Sequence, residues 1–146
     1  DNMKKVIIFD LSGTLLKMRP PKLLVNKRVL TLLSRKYKLS IITGARKSET
    51  MNILNKLDVE SFFTIVITKD DTLSRKPDRR LFMLIKDRLK AKGYIYIGDT
   101  KKDYLFARNS GIPFLYVGKR KIGIRNSLDI NALLNYILNN FPDNIN

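Results

Sequence analysis

Lys4-Lys5-Val6-Ile7-Ile8-Phe9-Asp10-Leu11-Ser12-Gly13-Thr14-Leu15 is the stretch from which the fold can be read. Val6 to Phe9 form a continuous apolar run of strand length, and a run without polar alternation is what a strand buried on both faces requires. The run stops at Asp10, and Ser12-Gly13-Thr14 supplies the small and polar residues of a turn. The segment therefore reads as a buried strand over 4–10 that delivers a carboxylate at its carboxyl end.

Segments of the same kind recur at 39–43, 64–68, 94–98 and 113–117. Stretches of helical period separate them. Val25, Val29, Leu32 and Leu33 fall at i, i+4, i+7 and i+8, with Pro20 and Pro21 marking the start of that helix. A second helix covers about 47–57, and a third follows Pro77 with Leu81, Phe82, Ile85 and Leu89 on one stripe. The fourth starts near Thr100 and ends before Gly111. The last, with Ser127 as its N-cap, buries Ile130, Leu133, Leu134, Ile137 and Leu138. Strands alternating with helices predict an α/β fold, a three-layer Rossmann-like architecture with a five-stranded parallel sheet flanked by helices. One domain is expected over 3–142, with Asp1 and Asn2 as a remnant ahead of Met3, 118–126 as a basic loop, and a disordered tail at 143–146.

Composition narrows the chemistry. The chain has no cysteine, histidine or tryptophan. Disulfides, thiolate nucleophiles, imidazole bases and histidine-ligated zinc are excluded, so any metal held by side chains is held by oxygen, which favours a hard cation. No apolar run approaches the roughly 20 residues needed to span a bilayer, and Val6 to Phe9 is too short for a signal-peptide core, so a soluble cytoplasmic protein is expected.

The formal charge of +16, from 29 Lys and Arg against 13 Asp and Glu, would attract polyanions in a salt-dependent manner. The densest groups are Arg35, Lys36 and Lys38, then Arg75, Lys76, Arg79 and Arg80, then Lys119, Arg120 and Lys121. Because the charges are spread along the chain, a solvated cationic surface explains them as well as a nucleic-acid partner does.

In a parallel α/β sheet, ligands bind beyond the carboxyl ends of the strands. The first strand ends in Asp10-Leu11-Ser12-Gly13-Thr14, the second in Thr43-Gly44, and the fourth in Gly98-Asp99-Thr100-Lys101-Lys102-Asp103, while Lys76-Pro77 opens the helix before the fourth. Right-handed crossovers place these on one edge, where they can converge on one pocket. Each has a plainer reading alone: Asp10 as a turn former, Thr43-Gly44 as a strand exit, Lys76 as a surface lysine, and Asp103 as the N3 partner of a Thr100 cap.

The ordered set resembles the haloacid dehalogenase superfamily, whose motifs are a DxDGT loop, a strand-ending Ser or Thr, a Lys, and an acidic GDxxxD loop. Lys76-Pro77-Asp78, Tyr96-Ile97-Gly98-Asp99 and the 107–112 stretch look like its phosphoglycolate phosphatase-like branch. The resemblance implies a phosphohydrolase. Asp10 would be the nucleophile, forming an aspartyl-phosphate. Mg2+ would be held by Asp10, Asp99 and the Ser12 carbonyl, with Asp103 ligating it or orienting a bound water. Thr43 and Gly44 would face the phosphate, and Lys76 would neutralise charge on the nucleophile and the transferring group.

Two features depart from the family pattern. Ser12 stands where phosphatases of the family carry a second Asp as general acid, and a hydroxyl cannot shuttle a proton as a carboxyl does. That leaves three readings: substrates whose leaving group needs little protonation, a proton relay through Asp103 or the substrate, or a site reduced to phosphate binding. Secondly, 15–38 and 44–75 leave no room for a cap domain. An open pocket suits a large substrate, a partner subunit acting as lid, or loose specificity. A nucleic-acid-binding module and a polynucleotide-end phosphatase are therefore the competing functions.

Overall fold

The apolar run ahead of Asp10 becomes the central strand of the sheet. The computed structural model describes residues 4–125 and 129–140, with elements in the order β1 (Val6–Phe9), β2 (Leu16–Lys17), β3 (Lys22–Leu23), α1 (Lys27–Lys36), β4 (Lys38–Ile42), α2 (Lys47–Lys56), β5 (Phe63–Ile67), α3 (Arg80–Leu89), β6 (Tyr94–Gly98), α4 (Lys101–Ser110), β7 (Phe114–Tyr116) and α5 (Ile130–Asn140). A 3-10 turn over Glu60–Phe62 leads into β5. Five strands form one parallel sheet in the order β5-β4-β1-β6-β7, and β2 and β3 form a separate antiparallel hairpin.

All four residues of β1 are fully buried, as the unbroken run requires. Their side chains alternate between the two faces. Ile7 and Phe9 join the core built with Leu30 and Leu33 of α1, Leu54 of α2 and Leu134 of α5. Val6 and Ile8 join Leu81, Phe82 and Ile85 of α3 and Phe106 of α4. The result is the helix–sheet–helix layering expected from the alternating pattern, with every strand of the main sheet presenting its carboxyl end to the same edge.

Two sequence expectations change. Pro20 and Pro21 lie in the turn of the β2–β3 hairpin, and α1 starts later, where the Asn26 side chain accepts from Arg28 N at 2.8 Å. Proline's fixed φ suits a turn as well as a first helical turn, so the capping residue decides. Val25, Val29 and Leu33 are buried as the period predicts, but Val25 precedes the cap, Leu30 takes the place expected of Leu32, and Leu32 is 37% exposed. The predicted cap Ser127 lies outside the described residues, as do Asp1, Asn2 and 143–146. At α5 the Asp129 carboxylate accepts from Ala132 N at 3.1 Å.

Only the β2–β3 hairpin and α1 lie between β1 and β4, and only α2 and the 3-10 turn lie between β4 and β5. Among the described residues, no inserted domain covers the carboxyl edge of the sheet. No helix among them is long and apolar enough to cross a membrane.

Candidate active site

Asp10 is the first residue beyond β1, and its N–H donates to Ile97 O at 2.9 Å, so the backbone ladder with β6 fixes where the carboxylate starts. Lys76, from the loop ahead of α3, reaches it with Nζ 2.7 Å from Asp10 Oδ1 and 2.9 Å from Asp103 Oδ1. The same ammonium sits 5.3 Å from the centroid of the Tyr96 ring, a cation–π distance. Nζ is thus held from three sides.

Asp103 is 1% exposed and accepts five hydrogen bonds. Lys76 Nζ and Tyr96 OH donate to Oδ1, while Asp99 N, Thr100 N and Thr100 Oγ1 donate to Oδ2. In return Asp103 N donates to Thr100 Oγ1 at 3.1 Å, completing the capping box of α4, whose C-cap is Gly111 at φ +71°. The plainer reading of Asp103 therefore holds, and the same carboxylate also faces Lys76. Burial pushes its pKa up, but Lys76, Tyr96 and Thr100 outweigh that and hold it below the ordinary aspartate value.

Asp99 closes the group. Thr14, buried in the turn after Asp10, donates Oγ1 to Asp99 Oδ1 at 2.9 Å. Gly13 adopts φ +84°, and a Cβ there would lie 2.2 Å from Asp99 Oδ2, so only glycine lets this turn back onto the carboxylate. Carboxylate oxygens of Asp10, Asp99 and Asp103 lie within 4.8 Å of one another. Burial raises the Asp10 pKa well above its ordinary value. Lys76 opposes this, while Asp103 and a hydrogen bond with Asp99 add to it. With all three ionised, the carboxylates exceed the one ammonium by two negative charges. A divalent cation would offset them, and an all-oxygen donor set suits a hard one. These residues fit a metal.

Gly98 makes the closeness possible. A Cβ at position 98 would lie 2.5 Å from Asp103 Cβ, with no flexible side-chain end to give way. Gly98→Ala is expected to cost about 1–3 kcal/mol through overpacking, read as a lower denaturant midpoint at an unchanged slope.

In front of Asp10 lies a pocket of about 260 Å³ whose lining includes Thr43, Gly44, Lys76, Arg75, Lys102 and Asp103. Thr43 Oγ1 accepts from Ala45 N at 3.1 Å, which leaves its proton for donation elsewhere. The structure thus gathers Asp10, Thr43, Gly44, Lys76, Asp99 and Asp103 at one edge. Ser12 is exposed on the turn and is not among the pocket-lining residues. Sequence reasoning missed Tyr96 and Thr14 as parts of the site. Both carry a hydroxyl that is buried against a carboxylate, and a pattern of apolar runs gives no signal for that.

Residues 20–117 match the family model of haloacid dehalogenase-like hydrolases. The chain belongs to that family. The matched stretch contains Thr43, Gly44, Lys76, Asp99 and Asp103 and starts after Asp10 and Ser12, so the first loop rests on its geometry. Among curated relatives, pyrophosphatase PpaX of Halalkalibacterium halodurans is 29% identical over 96 residues, covering 64% of this chain and 45% of the relative. Phosphoglycolate phosphatase of Salmonella choleraesuis is 27% identical over 77 residues, covering 51% of this chain and 31% of the relative. The chain therefore spans less than half the length of either. The crystal structure of a HAD phosphatase from Thermococcus onnurineus superposes with a TM-score of 0.80 at 16% identity, over 94% of this chain and 98% of that one, and shows the shared fold.

Proposed function

We propose that this haloacid dehalogenase-like hydrolase is a Mg2+-dependent phosphohydrolase in which Asp10 attacks the phosphorus of a phosphorylated substrate and forms an aspartyl-phosphate. The observation that carries the reading is the Asp10 carboxylate itself: one oxygen is bonded to Lys76 at 2.7 Å, Asp99 and Asp103 stand beside it, and a pocket opens in front of it. A carboxylate attacks an anionic phosphate only where both charges are offset. Lys76 offsets one. Asp10, Asp99 and the Ser12 carbonyl would hold Mg2+, with Asp103 bound to it or to its water, and the ion when bound supplies charge neutralisation at the phosphate oxygens.

The remaining work falls to the chain's own groups. Thr43 Oγ1 donates to a phosphate oxygen, and the exposed Gly44 leaves the strand end open for the phosphate to approach. Lys76 stabilises negative charge on the transferring group and opposes the burial that disfavours the Asp10 carboxylate. Water then cleaves the acyl phosphate and restores the carboxylate.

Hydrolysis of an aryl phosphate by the full chain, with Mg2+ and with a chelator, tests the proposal. Turnover with the metal and none with the chelator is the expected result, and turnover that ignores the chelator contradicts it. A second readout is independent of activity. Mg2+ at about 100 times its Kd should stabilise the folded chain by about 2.7 kcal/mol, seen as a rise in Tm.

A further inference from the structure

The pocket offers no free carboxylic acid, imidazole or phenol to protonate a leaving group, and of its two ammonium groups Lys76 is already bonded to Asp10 and Asp103. Its lining contains two carboxyl groups, Asp10 and Asp103, and no phenol, thiol or imidazole. Asp103 accepts five hydrogen bonds over its two oxygens, which marks it as an acceptor and speaks against it as the proton relay. Ser12 contributes only an exposed hydroxyl on the turn. An alkoxide expelled from an ordinary phosphate ester would leave without a carboxylic acid to protonate it, and losing such general acid catalysis typically forfeits about 10²–10⁴-fold of rate.

The rim of the pocket is organised differently. Its nearby acids are spent locally: Asp70 contacts Arg46 at 3.7 Å, Asp71 contacts Lys47 at 2.8 Å, and Asp78 contacts Arg80 at 2.7 Å. Among the described residues Arg75 and Lys102 have no carboxylate partner. Arg75 and Lys102 line the pocket itself. Arg75 Nη1 is tied to Thr72 O and Ser74 O at 2.8 Å each, so the guanidinium is held at the mouth. Lys101 and Lys102 occupy the first turn of α4, where the helix dipole disfavours cations. A local conflict of that kind marks a functional position rather than a folding requirement.

Resting on the phosphohydrolase reading above, we infer that the substrate is a phosphoanhydride. Asp10 takes its terminal phosphoryl group, and Lys102 and Arg75 hold the adjoining phosphate as the leaving group. The Asp10 oxygen not bonded to Lys76 forms the new O–P bond. The bridging P–O bond breaks, and its electron pair stays with the oxygen of the shortened chain. That product is a stable anion at neutral pH, so no proton donor is needed in this step. Water then hydrolyses the aspartyl-phosphate to inorganic phosphate and the restored carboxylate, consuming one water overall. The chemistry is shared by inorganic polyphosphate and nucleoside polyphosphates.

The test compares kcat/KM of the full chain with Mg2+ on tripolyphosphate, ATP, an aryl phosphate, an alkyl monophosphate and a 5′-phosphorylated oligonucleotide. Anhydrides should exceed the alkyl ester by at least about 10²-fold, the size of the missing acid catalysis. Equal rates on tripolyphosphate and ATP would assign recognition to the phosphate chain alone, and a preference for ATP would add the nucleoside; both support the inference. The double variant Arg75→Ala, Lys102→Ala should lower the ratio of anhydride to aryl-phosphate turnover at least about 10-fold, a loss of about 1.4 kcal/mol of discrimination. Ser12→Asp should raise alkyl-ester turnover. Alkyl or oligonucleotide phosphates hydrolysed as fast as anhydrides would overturn the inference while leaving the aryl-phosphate activity standing. Absence of turnover on all five substrates would instead overturn the reading of Asp10.

Discussion

Asp10→Asn is expected to abolish aryl-phosphate turnover, by on the order of 10⁴-fold or more, the scale seen when a covalent nucleophile is removed. The fold should survive. Asparagine keeps the shape, and the backbone anchor from Asp10 N to Ile97 O does not involve the side chain. The variant also has a thermodynamic signature. The wild-type carboxyl has its pKa raised chiefly by burial, so its contribution to stability is present below the ordinary aspartate value and is lost as pH rises through the folded value. Charging that group without metal is therefore unfavourable. Without metal, Asp10→Asn should melt at or above the wild type, and added Mg2+ should raise its Tm less. A metal-free variant that melts well below wild type would show that the carboxylate is structural.

The largest stability effect is expected at Asp103. Asp103→Ala removes the acceptor of five hydrogen bonds, leaves Tyr96 OH buried without that partner, and strips Lys76 of one of its two carboxylates. Breaking a buried pair by removing one member typically costs about 3–5 kcal/mol, and losing an N-terminal capping interaction costs about 1 kcal/mol. Urea denaturation at pH 7 should show a loss of about 4 kcal/mol. The pH dependence fixes the cause. With its folded pKa held below the ordinary value, Asp103 contributes stability present above that value and lost as pH falls through the folded one. The gap between wild type and variant should therefore narrow in acid. A gap that stays constant to pH 3 would assign the loss to packing rather than charge. Asp103→Asn, which can still accept at the cap but carries no charge toward Lys76, should fall between the two.

These positions also show what the sequence makes legible. The strand ending at Asp10 could be read because a buried parallel strand needs an unbroken apolar run, and the residue that ends the run stands at the sheet's carboxyl edge. Thr43, Gly44 and Asp99 follow by the same rule, since each ends such a run. Lys76 was legible only through the family motif, because nothing local tells a loop lysine that bonds two buried carboxylates from one in solvent. The Thr100–Asp103 spacing announced the capping box but not Tyr96 donating to the same carboxylate at 2.6 Å. That contact depends on β6 and α4 lying close across Gly98, a distance set by tertiary packing. The β2–β3 hairpin escaped because two-residue strands carry no period, and its prolines read equally well as a helix start.

The proposed covalent chemistry on Asp10 can be tested by acid-quenching the full chain, with Mg2+, during turnover of a substrate carrying a labelled phosphoryl group. The wild type should carry an acid-stable, hydroxylamine-labile label that maps to the peptide containing Asp10, and Asp10→Asn should carry none. Steady turnover with no label on the wild-type protein, or an equal label on Asp10→Asn, would contradict Asp10 as the nucleophile.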